Sequence, residues 1–301
     1  IVKCTNRGAL TTTGIPIVGI STVNGTNSLE IKDCYNYGNL SSNALIPIEG
    51  IITNAKVTNT EQKGIISNCF NYGKITGGYQ LGGIVGEAVN VKIEKCNNGK
   101  EDLKNSEEIY FENVFRSAGI AYSATDCEIE NCNNYLRTER KDITSGIVGI
   151  SKNTSINACA NYGNIQKQES GVLLNAAGIV AIGEDNTVIK NCENYADIYG
   201  LVASKAASGG ILGSGNTNIT DCVNKGSMIA DEKNYSANVG GIAGDIIGNI
   251  TNCRNEGSFT GKMGAVGGIV YKISGTVESS GNIAEINVDN SKNESSINSV
   301  D

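Results

Sequence analysis

Apolar and polar positions along the chain follow a unit that reads apolar-x-x-Cys-x-Asn-x-Gly-x-apolar, as in IKDCYNYGNL from Ile31, INACANYGNI from Ile156 and ITNCRNEGSF from Ile250. Ten such units align on Cys4, Cys34, Cys69, Cys96, Cys132, Cys159, Cys192, Cys222 and Cys253, with Ser280 in the tenth. The steps between them run from 27 to 36 residues, a period that marks a solenoid. A second element follows each unit: Gly-Gly-Ile-Val-Gly or a variant, at Gly82–Gly86, Gly146–Gly149, Gly178–Val180, Gly209–Gly213, Gly240–Gly244 and Gly267–Val270. From its Ile to the next ladder cysteine the spacing is 11 to 13 residues in the last seven coils, whereas the opposite interval varies from about 13 to 24. One side of the coil is held to length and the other accepts insertions.

Side chains alternate in a strand, so Cys, Asn, Gly and the following apolar residue share one face, while the apolar residue three before Cys does not. A bend must intervene. The two residues there are polar and often Asn or Asp, as in Lys32-Asp33, Ser67-Asn68 and Thr251-Asn252, which is turn chemistry. The pattern predicts an all-β chain, a right-handed parallel β-helix (β-solenoid) of about ten coils, its hand set by the chirality of parallel crossovers. Residues 1–290 form the single repeat domain and 291–301 a polar tail or linker. A leucine-rich repeat also places Asn or Cys after an apolar strand, but its helix-bearing half has no counterpart here.

Thirty-eight Gly, two Pro, no Trp and no His suit short strands broken by turns and offer little to a helical core. The net charge of −7, with the signs mixed, lacks the basic footprint that nucleic acid requires. No apolar stretch approaches the roughly 20 residues that span a bilayer. The first residues, Ile1-Val2-Lys3-Cys4, fall inside a repeat and no initiator Met precedes them. The expectation is a segment of a longer secreted or cell-surface protein, whose signal and anchor lie elsewhere.

Nine of the ten cysteines share one column. Parallel in-register neighbours seldom reach disulfide torsions, so Cys34, Cys69, Cys159, Cys192, Cys222, Cys253 and their equivalents are expected as reduced, buried, small hydrophobes. Cys127 lies outside the column, in a corner segment, and is the thiol singled out for reactivity. With no His and no Cys-x-x-Cys pair, neither a metal nor a cofactor is expected. The column of Asn36, Asn71, Asn161, Asn194, Asn224, Asn255 and their equivalents is read as structural, satisfying backbone groups at the corners. Between Asn and Gly stand Tyr37, Tyr72, Tyr135, Tyr162 and Tyr195, facing outward by parity. Such a stripe can stack on sugar rings or on a partner protein, or its rings can stack on one another and cover the rod. It breaks at Asn98-Gly99, and the same coil carries the longest insertion, Lys100 to Ser117, acidic around Ile109-Tyr110-Phe111, expected as a protruding loop.

The alternation of Gly-Gly-Ile-Val-Gly with Ile-x-Asn-Cys-x-Asn-x-Gly-x-Ile resembles the GLUG-type repeats of bacterial surface proteins, found in filamentous adhesins and in non-catalytic regions of IgA-cleaving metallopeptidases. The likeness covers nearly the whole chain, although the cysteine column is stricter here and some spacers are longer. It implies a stalk or adhesive module with no catalytic residues, whose partner is a host or matrix glycan or protein, and whose end coils could pair with other copies. The alternative is a carbohydrate-active β-helix, a lyase or glycosidase, which needs acids clustered on adjacent coils. Asp221, Asp231, Glu232 and Asp245 come from neighbouring coils but hold no equivalent positions. A pure spacer without any ligand is the third reading.

Overall fold

In the computed structural model, which describes residues 1–23, 25–108, 110–140, 142–167, 175–201, 207–230 and 238–288, the corner before every ladder position is made by one residue in the left-handed region. These residues are Lys3, Asp33, Asn68, Lys95, Asn131, Ala158, Asn191, Asp221, Asn252 and Ser279, with φ between 48° and 57°. Asn and Asp hold six of the ten places because they enter this region at less cost than other L-residues. A second left-handed corner recurs at Asn90, Asp126, Asn153 and Asn186.

Between the corners the backbone forms short strands that pair with the same segment of the next coil, all parallel and in register apart from shifts at Phe111/Val114, Gly183/Thr187 and Tyr199/Leu201. The coil from Phe70 is representative: Phe70–Asn71, Ile75–Gly77, Gln80–Gly82, Val85–Val89 and Val91–Glu94. The first three segments build sheets I, II and III, of ten, ten and nine strands, and the last two build a fifteen-stranded sheet IV bent at the second corner. Apart from a 3-10 turn at Glu101–Leu103, the described residues contain no helix. The fold is thus an all-β parallel β-solenoid. Because sheet III has one strand fewer than sheets I and II, the complete turns are somewhat fewer than the ten units in the sequence. No helix of the described residues is long and apolar enough to cross a membrane.

Two expectations need correcting. The run from Cys to the apolar residue six later is not one strand: it splits into Tyr35–Asn36 in sheet I and Leu40–Ser42 in sheet II. Parity survives the kink, so Cys34, Asn36, Gly38 and Leu40 are all buried. Nor is Lys100–Ser117 a single protruding loop. Phe111 is fully buried in the column of Ile75, and Arg116–Ala118 is a regular strand of sheet III. The early part of the insertion packs back on the rod, with the Asn105 amide donating to Tyr135 O at 3.3 Å and Asn105 Oδ1 accepting from Asn164 N at 2.7 Å.

The interior is divided. Cysteines and isoleucines from the first corner and sheet IV form one apolar compartment. Residues of sheets II and III form two more, one around Leu40, Ile75 and Phe111 and the other around Ile198, Met228 and Phe259. The asparagine column lies between the sheet IV compartment and the other two.

Candidate functional site

A buried asparagine must place two N–H donors and a carbonyl, and here each coil meets that demand with the next. Asn6 donates through Nδ2 to Asn36 Oδ1 at 2.7 Å, Asn36 to Asn71 at 2.7 Å, Asn71 to Asn98 at 2.8 Å, Asn98 to Asn134 at 2.7 Å and Asn134 to Asn161 at 2.8 Å. Asn161 donates to Asn194 at 3.0 Å, Asn194 to Asn224 at 2.8 Å, Asn224 to Asn255 at 2.7 Å and Asn255 to Asn282 at 2.7 Å. The second donor of Asn36, Asn194, Asn224 and Asn255 reaches the carbonyl two residues on, at 2.9 to 3.0 Å. The same amide therefore kinks the chain between sheets I and II and ties the coils together. Opposite it stands a glycine in every unit that has one, Gly19, Gly50, Gly83, Gly119, Gly146, Gly178, Gly210, Gly241 and Gly268. A Cβ on Gly146 would lie 2.1 Å from Asn161 Cγ.

All ten cysteines are free, and all but the half-buried Cys4 are buried. Ladder thiols donate to the carbonyl two residues back, at 3.2 to 3.4 Å for Cys34, Cys69, Cys159, Cys192, Cys222 and Cys253. Burial, reinforced by neighbouring thiols, pushes Cys132 and Cys192 well above the ordinary thiol range. Ser280 makes the same bond at 2.9 Å, which is why a hydroxyl can close the column. Cys127 is no reactive outlier. It sits after the second corner in the place that Thr154 takes one coil later, is buried, and burial pushes its thiol up to about 11, so it stays protonated at neutral pH.

The tyrosines form two rows. Tyr37 and Tyr72 stack at 5.0 Å, and Tyr135, Tyr162 and Tyr195 at 4.9 and 4.7 Å. Tyr35 and Phe70 stack alongside the first row at 5.5 Å. Arg7 lies over Tyr37 at 4.9 Å and Lys225 over Tyr195 at 4.3 Å. Ring faces are therefore engaged with one another and with cations. Of these five tyrosines only Tyr37 is exposed, at 44 %, and the others are half-buried. A ligand along this stripe would meet ring edges.

The loosely grouped acids do not converge. Asp221 is a corner residue whose Oδ1 accepts from Asn252 Nδ2 at 2.5 Å, whereas Asp245 lies in sheet IV and pairs with Lys272 at 2.9 Å. Asp231 and Glu232 lie outside the described residues. Among the described residues no group of three or more Cys, Asp or Glu could hold a metal ion.

A different acid stands out. Glu49 occupies a sheet III column whose other members are Val18, Gly82, Ala118, Ser145, Ala177, Gly209, Gly240 and Gly267. It is 1 % exposed, and its Oε2 has no hydrogen-bond partner. Burial raises its carboxyl well above the usual carboxylate range, with the Glu87 charge acting the same way and the nearby Thr53 side chain acting the other. The side chain reaches over Gly86 of the next coil, where a Cβ would come within 2.5 Å of Oε1. It lines a cavity of about 250 Å³ where sheets III and IV meet. Pro16 and Pro47, the two prolines of the chain, line it with Tyr122 and Gln80, and so does the ion pair of Lys56 with Glu87 at 2.5 Å. Sequence reasoning passed over Glu49; the available signal was a charged residue in a column otherwise filled by small or apolar ones. No family model, curated protein or solved structure matches the chain.

Proposed function

We propose that the chain is a non-catalytic extracellular repeat module, a scaffold or stalk with adhesive capacity in a bacterial cell-surface protein. The observation that carries this reading is the unbroken asparagine ladder, in which ten units perform one identical structural task. Chemistry repeated in every coil supports a rod whose length matters, since a catalytic site is a singular constellation. The resemblance to GLUG-type repeats supports the surface location. Pairing of end coils between copies belongs to the same reading.

Two measurements test it. Removing one unit, residues 159–191, joins Ala158 to Cys192 in register and should leave a folded rod about 4.8 Å shorter by small-angle scattering. Antibodies raised against the rod should label intact cells of the organism that makes it. Collapse of the shortened chain, or labelling only after permeabilisation, would contradict the proposal.

The second reading, a carbohydrate-active β-helix, is favoured by one observation: Glu49 and Glu87 line the same cavity in unlike surroundings, one buried and the other paired with a lysine. Glycoside hydrolysis uses two carboxyls held in different protonation states. Turnover of nitrophenyl glycosides or polysaccharides that disappears in Glu87→Gln would establish this reading; the module reading expects no turnover by the wild-type chain.

A further inference from the structure

Counting coils by their ladder cysteine, the fifth begins at Cys132 and the sixth at Cys159, and the apolar interior of sheets II and III is interrupted between them. The first compartment ends at Leu136 and the second begins at Ile165. Thr138, 2 % exposed, sits in a sheet II column whose neighbouring members are Ile75, Phe111, Ile165 and Ile198. In sheet III the fourth and fifth coils bury Ser117 and Thr144, bonded to each other at 3.2 Å, and the adjacent Ser145 hydroxyl is buried without a hydrogen-bond partner. A layer of hydroxyls therefore separates the two compartments.

A second link is missing at the same level. At the turn into sheet II, a side-chain oxygen of one coil accepts from the backbone amide of the next: Asn39 Oδ1 from Lys74 at 2.9 Å, Asn164 Oδ1 from Asp197 at 3.0 Å and Asp197 Oδ1 from Ser227 at 2.8 Å. The fifth coil has Arg137 at this position, and a guanidinium accepts nothing. The Asn164 amide donates instead to the insertion of the fourth coil, at Asn105 Oδ1, 2.7 Å away. The same segment packs Leu103 against the first compartment, pairs Glu107 with Arg137 at 2.9 Å and brings Lys104 to 5.6 Å from the Tyr162 ring of the sixth coil.

We propose that the rod is two half-rods joined at a polar seam between the fifth and sixth coils, and that residues 100–108 form the clasp that holds this seam shut. The asparagine ladder and the sheet IV compartment run through the seam unbroken, so it opens from the side of sheets II and III. The inference goes beyond the module reading and does not depend on where the protein is displayed.

Coils of a solenoid are coupled only to their neighbours, so a weak interface shows as local opening. The test is native-state hydrogen exchange of backbone amides, resolved by NMR. The Thr138 and Thr144 amides donate across the seam, to Asn164 O and Asn175 O, both at 2.9 Å; the Ile198 and Met228 amides make the Thr138 bond in later coils, at 2.9 and 2.8 Å. In wild type the two seam amides should exchange about tenfold faster than those of Ile198 and Met228. Asn105 has a φ of 54°, so Asn105→Gly removes the acceptor without straining the backbone. It should speed the seam amides by about a further tenfold and leave Ile198 and Met228 unchanged, whereas Asn105→Asp, which keeps the acceptor, should match wild type. If Asn105→Gly fails to fold, Thr138→Val decides: an apolar side chain in that column should slow the Thr144 amide about threefold or more. Uniform exchange along the wild-type rod, an Asn105→Gly effect spread equally over all coils, or a Thr144 amide indifferent to Thr138→Val would overturn the proposal.

Discussion

At the scale of the residue, the asparagine ladder converts the hardest groups to bury into the bonds that hold the coils. Asn161 accepts from Asn134 and donates to Asn194, at 2.8 and 3.0 Å. Asn161→Ala leaves both neighbours short of a partner inside the rod and is expected to cost about 3 kcal/mol, measured by urea unfolding. Glu49 carries the opposite sign. Below the ordinary carboxylate range the folded and unfolded chains both hold the proton, so burial has no ionisation penalty. As pH rises, the unfolded chain releases its proton first, because the folded carboxyl is raised, and the wild-type protein loses stability until the folded group also ionises. Glu49→Gln lacks this loss. Its melting temperature relative to wild type should therefore be least favourable below about pH 4 and improve toward neutral pH. A difference that does not change with pH would contradict the assignment.

At the scale of the element, the glycine of Gly-Ile-Val is set by the asparagine across the coil. A Cβ on Gly146 would stand 2.1 Å from Asn161 Cγ and 2.3 Å from Gly178 O, whereas a Cβ on Gly14 would meet nothing within 4 Å. Gly146→Ala should cost about 3 kcal/mol or more, or abolish folding, while Gly14→Ala should fall within about 0.5 kcal/mol of wild type; thermal unfolding of the pair separates a packing role from simple chain entropy. The repeat unit and its first corner were readable in the sequence, because both recur at fixed offsets from the ladder cysteines. The split between Asn36 and Leu40 was not, because a kink that preserves parity leaves the alternation unchanged. Phe111 was hidden for a related reason: it lies in an acidic insertion, and only its pairing beside Ile75 reveals a core position.

At the scale of the whole molecule, the columns become ladders only when the coils stack, and contacts between columns follow from cross-coil packing that a linear pattern does not contain. The asparagine–glycine contact, the facing of Glu49 with Gly86 and the two tyrosine rows all belong to this class. Ion pairs between coils run along the outside, as Lys92 with Glu130 at 3.2 Å and Lys152 with Asp185 at 3.0 Å, but exposed pairs of this kind contribute little. Cohesion from coil to coil rests instead on backbone pairing, the apolar compartments and the amide ladder. The most direct test of that account is side-chain amide hydrogen exchange in protein labelled with ¹⁵N-asparagine. The Nδ2 protons of the fully buried members, Asn36, Asn71, Asn98, Asn161, Asn194, Asn224 and Asn255, should be strongly protected as one set. Exchange of these protons at the rate of solvent-exposed asparagines would contradict it.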